Sequence, residues 1–100
     1  YGAVKGKLVL GENVAQAAQF VRSGMADAGV FALSLALAPR MRGTGRYAEV
    51  PLASTPRMDQ GGIVLKGARD PAGARALRDA LLGPRGRDVL REHGFFLPAP

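Results

Sequence analysis

The stretch from Lys7 to Ala32 constrains the fold of this chain more than any other. Lys7-Leu8-Val9-Leu10 is a short apolar run closed by Gly11, the pattern of a strand buried on both faces. After Glu12 and Asn13, Val14, Ala17, Ala18 and Val21 recur at i, i+3, i+4 and i+7, which is one face of a helix. Asn13 is a favoured N-cap, and Gln16 three positions on completes a capping-box pattern. Ser23-Gly24 stops the helix, with Gly24 in the position that a left-handed residue takes after the C-cap. Ala28-Gly29-Val30-Phe31-Ala32 is a second apolar run. Strand, helix and strand in this spacing predict a βαβ unit with a right-handed crossover.

The remainder extends the same alternation. Leu33 to Ala38 fits a short helix halted by Pro39, and Arg40 to Gly45 a polar, glycine-containing loop. Arg46 to Val50 fits an alternating strand stopped by Pro51, Leu52 to Gln60 a loop, and Gly62 to Lys66 a third strong strand. Asp70-Pro71 is a helix start, with Asp70 as N-cap and Pro71 in the first turn. Ala74, Leu77 and Leu81 give that helix its apolar face. Gly83-Pro84 opens a last helix running to about His93, closed by Gly94 and followed by the apolar tail Phe95-Phe96-Leu97-Pro98. The expected class is α/β.

Composition narrows what such a chain can do. Hydrophobic residues make up 47%, which is globular rather than disordered. Aromatics are only 6%, so any core rests on small and branched aliphatic side chains. There is no cysteine, which excludes disulfides, zinc ribbons and thiol catalysis. The formal charge of +6 raises nucleic acid as a partner, but the arginines are dispersed and no nucleic-acid motif accompanies them, so none is expected. The longest apolar stretch, Ala28 to Ala38, falls short of the roughly 20 residues a membrane span needs. The sequence opens at Tyr1 without an initiator Met and reads as the C-terminal portion of a longer protein.

Enzymatic chemistry finds little support. The only histidine, His93, falls in the last turn of a helix, where the helix dipole accounts for it. The acidic residues fall at caps, loops or polar helix faces, and no catalytic or phosphate-loop motif occurs. One place has a physical mechanism for binding. Ligands of open α/β sheets sit beyond the carboxyl ends of strands, and a helix N-terminus offers unpaired N–H groups with a partial positive charge. The strand ending at Leu10 leads to the helix starting at Val14, so the backbone amides of Val14 and Ala15 form a candidate anion site. The bland alternative is that Asn13 caps the helix and nothing binds there.

Several segments together resemble molybdate-binding periplasmic proteins of ABC importers. They are Lys7 to Val21, Ser23-Gly24, Ala26 to Gly29, Ala32-Leu33-Ser34, Gly45 to Pro51, Gln60 to Lys66, and Pro84 to Phe95, in the family's order. The resemblance implies a type II periplasmic-binding-protein fold, present here in part. Residues 1–50 would belong to the second ligand-binding lobe, 51–62 to the crossover or hinge, and 63–100 to the strand and helices returning to the first lobe. It also implies a receptor, not an enzyme, that holds molybdate or tungstate between two lobes by N–H and O–H donors and delivers it to a membrane permease. No cofactor or cation ligand is implied.

By the same resemblance, the lobe-two contact falls on the backbone N–H of Val14, flanked by Asn13 and Ala15. Some members place a tyrosine hydroxyl where this chain has Ala32, so that bond is lost here and Ser34 becomes the candidate replacement donor. Implied partners are the remaining N-terminal lobe and the permease, in a periplasmic or extracytoplasmic location. A fragment lacking that lobe would expose apolar edges and tend to dimerise or exchange strands. Alternatives are a receptor for another oxyanion or small organic acid, the effector domain of a transcription regulator, and a stand-alone interaction module.

Overall fold

A computed structural model describes residues 1–98. It divides into two compact units, Tyr1–Tyr47 and Ala48–Pro100.

The first unit begins with turns. The Tyr1 carbonyl accepts from the N–H groups of Val4 and Lys5, and a 3-10 turn covers Lys5–Lys7. Lys7 therefore ends a turn rather than starting a strand. Helix α1 (Val14–Arg22) forms where the apolar periodicity places it. Its start is tied twice through one residue. The Gln16 N–H donates to Asn13 Oδ1 at 2.9 Å, and Gln16 Oε1 accepts the Glu12 N–H at 2.6 Å. This is a capping box whose return bond lands one residue before the cap. At the other end Gly24 takes φ of 80°, a conformation costly for residues with a Cβ, and its N–H donates to the Val21 carbonyl.

Helix α2 (Leu33–Ala36) is a single turn that packs against α1. The Ala32 carbonyl accepts from both Leu35 and Ala36, and a 3-10 turn at Pro39–Met41 follows. Residue 29 must be small here, because a Cβ on Gly29 would lie 2.6 Å from Val21 Cγ2.

The second unit holds a 3-10 turn at Leu52–Ser54 and helices α3 (Pro71–Leu82) and α4 (Pro84–Glu92), which pack on each other. Asp70 caps α3 as its sequence predicts, accepting the Gly73 N–H at 2.9 Å. Gly83 separates the two helices, and Pro84 opens α4. Gly86 is a close-approach glycine, since a Cβ there would run into the carbonyl oxygens of Ala80 and Leu81. Gly94, at φ of 82°, closes α4 with two bonds, Gly94 N–H to Arg91 O at 2.9 Å and Phe95 N–H to Leu90 O at 3.0 Å. That pair is a Schellman motif. Arg87 Nη2 then holds the tail by donating to the Pro98 carbonyl at 3.0 Å.

Two features of the described residues bear on the expected α/β class and its packing. First, the described residues contain helices and turns but no strand. The runs expected as strands, Lys7–Leu10, Ala28–Ala32, Arg46–Val50 and Gly62–Lys66, have no ladder hydrogen bond to one another. A strand is completed only by a neighbouring backbone, and these segments find none among the described residues. Second, the apolar helix faces do not close a core. Among the described residues Ala18 alone is buried, while Val14, Leu77 and Leu81 are exposed at 56%, 63% and 48%. Val30, Leu10 and Ile63 are exposed still further, at 84% or more. A chain with this apolar content that buries one alanine leaves most of its hydrophobic surface available for covering.

Candidate functional site

The site is built on the first turn of α1. Gly11 brings the chain tightly over this helix, where a Cβ would lie 2.9 Å from the Ala17 nitrogen and 3.0 Å from the Asn13 carbonyl oxygen. The two bonds through Gln16 then fix Glu12 and Asn13. Of the amides at this helix start, Gln16 donates to the Asn13 side chain and Ala17 to the Asn13 carbonyl. The N–H groups of Val14 and Ala15 meet no acceptor among the described residues. Asn13, Val14 and Ala15 are all exposed.

The physical result is a pair of adjacent, outward donors at the positive end of a helix dipole, with no acidic residue in the first turn. Such a pair can donate two hydrogen bonds to an anion. The Asn13 side-chain oxygen is occupied as a cap, so its role is to hold the turn.

The other two expected positions lie at the start of α2. Ala32 is the N-cap, in extended backbone and exposed, with a methyl group that offers no cap and no donor. Ser34 is half-buried within the single turn. The packing of α2 on α1 puts both groups of residues in the same unit. The role of Gly11 escaped the sequence reading. Its only signal is a glycine wedged between an apolar run and a cap.

Outside this site, some titratable groups are engaged in surface structure. His93 donates a ring N–H from Nδ1 to the Val89 carbonyl at 2.9 Å, closing the end of α4. Arg57 donates to Asp59 at 2.7 Å, and this hydrogen bond, with the charge of Asp59, raises the guanidinium pKa above its ordinary value.

The family model for bacterial extracellular solute-binding proteins matches residues 1–96. A protein of Azotobacter vinelandii named molybdate-binding protein ModA is 36% identical over 95 residues, which cover 95% of this chain and 38% of the relative. The chain thus spans well under half the length of that relative. No solved structure matches it. The chain belongs to the family of bacterial extracellular solute-binding proteins.

Proposed function

We propose that the complete protein is the extracytoplasmic receptor of a molybdate or tungstate ABC importer, and that this chain supplies much of its second lobe and the return to its first. The observation that carries the reading is the 36% identity to ModA along nearly the whole chain. The unpaired amides of Val14 and Ala15 support it from the physical side.

In this reading the Val14 N–H donates to one oxygen of a tetrahedral dianion, with Ala15 beside it and Asn13 holding the turn. Charge-assisted bonds from neutral donors hold an oxyanion without a counter-charge. The Ser34 hydroxyl supplies the donor that the methyl group of Ala32 cannot. Hydroxyl and amide donors from the other lobe complete the shell, and closure follows because the ligand contacts both lobes. Discrimination against sulfate comes from cavity size.

The α/β architecture belongs to the same proposal. Segments 7–10, 28–32, 46–50 and 62–66 become strands when neighbouring backbone pairs with them, with 1–50 in lobe two, 51–62 as crossover and 63–100 packing on lobe one. The exposed apolar side chains of Leu10, Val30 and Ile63 are then covered.

Isothermal titration of the full-length protein with molybdate, tungstate and sulfate tests the reading. Heat from the first two and none from sulfate is the expected result. Heat from sulfate alone would move the assignment to another oxyanion receptor, and silence from all three would overturn it.

A further inference from the structure

The first unit carries an uneven distribution of charge that oxyanion binding leaves unexplained. No acidic residue lies between Asp27 and Glu49, yet Arg40, Arg42 and Arg46 fall within seven residues of one another. The arginines of the second unit are arranged differently, because Asp70, Asp79, Asp88 and Glu92 are interleaved with them. There, Arg78 and Arg91 pair with neighbouring aspartates at 2.7 and 3.0 Å. Among the described residues, none of the guanidinium groups at 40, 42 and 46 meets a carboxylate.

The backbone that bears them is shaped. The Arg42 N–H donates to the Pro39 carbonyl, Gly43 takes φ of 75°, and Thr44 donates to the Met41 carbonyl from both its N–H and its Oγ1, the latter at 2.7 Å. These bonds close successive turns over residues 39–44, which carry Arg40 and Arg42, Arg46 follows two residues on, and all three arginines are exposed. Exposed Tyr47 follows directly.

We propose that the loop Arg40–Tyr47 is a docking surface for an acidic protein partner. Guanidinium groups match carboxylates in planar, paired hydrogen bonds, and arginine with tyrosine is the combination enriched in protein interfaces. A membrane surface fits less well, because polybasic lipid-binding segments carry about four to eight cations in a cluster. The inference does not depend on which anion the receptor carries.

The test uses the full-length protein in two triple variants that remove equal charge. One is Arg40→Ser, Arg42→Ser and Arg46→Ser, and the other is Arg69→Ser, Arg75→Ser and Arg85→Ser. Binding to immobilised poly-glutamate and to phosphatidylglycerol vesicles is measured at low and physiological salt. The loop variant should bind poly-glutamate about tenfold more weakly, and the control variant less than about twofold, as expected for a few exposed pairs acting together. Equal losses in the two variants would reduce the effect to net charge and overturn the proposal. So would a loop variant that binds poly-glutamate normally, or one whose larger loss is on vesicles.

Discussion

Helix α1 and the segment 62–66 have similar apolar content and opposite fates. Residues 14–22 close into a helix with both ends tied, by Asn13 at the start and Gly24 at the finish, and bury Ala18. Gly62 to Lys66 carries Ile63 and Leu65 at 85% and 67% exposure and takes no regular structure. A helix satisfies its backbone from residues four positions away, so its information is local. A strand satisfies its backbone from another segment, so the same hydrophobic pattern specifies nothing until a partner arrives.

The sharpest way to break this comparison is to make one substitution in two contexts. Ile63→Ser in the 100-residue chain should change stability by less than about 0.5 kcal/mol, the range for surface positions. In the full-length protein, where the segment is proposed to be paired and covered, it should cost about 3 kcal/mol. Urea unfolding of both pairs checks this, and a small effect in both contexts would remove the proposed strand.

The next largest effect separates propensity from packing. Helix propensity alone favours Gly86→Ala by roughly 1 kcal/mol. The contact of residue 86 with the Ala80 and Leu81 carbonyls instead predicts a loss of about 2 kcal/mol, read from thermal unfolding. A stabilised variant would show that α4 does not start against α3.

Smaller effects are expected at the helix ends. Gly94→Ala places a Cβ at φ of 82° and should cost about 1 kcal/mol. Asn13→Ala removes the cap of α1 and should cost a similar amount, about 1 kcal/mol. If the Val14 amide also binds the anion, Asn13→Ala should weaken molybdate binding of the full-length protein severalfold, whereas Gly94→Ala should leave it unchanged. The smallest effect is Asp88→Asn, which loses the exposed pair with Arg91, worth about 0.3 kcal/mol in the same unfolding assay.

The candidate site was legible to the extent that it is local. Asn13, Gln16 and the amides of Val14 and Ala15 can be placed from cap chemistry and apolar spacing, and the structure puts a helix start there. Ala32 and Ser34 can be placed next to a short helix but not given a role, because that depends on groups from elsewhere in the fold. The approach of Gly11 to Ala17 was not legible, since it depends on the path of the chain over the helix.

By itself, the sequence determined the helices and their ends. Asn13, Asp70 and Pro84 at the starts, and Gly24 and Gly94 at the finishes, act within a few residues of where they stand. Tertiary structure alone decided what is covered. It buried Ala18, pressed Gly86 against the end of α3, and left Leu10, Val30 and Ile63 exposed. Burial and strand pairing join residues distant in sequence, and apolar spacing can mark a face for covering without supplying the surface that covers it.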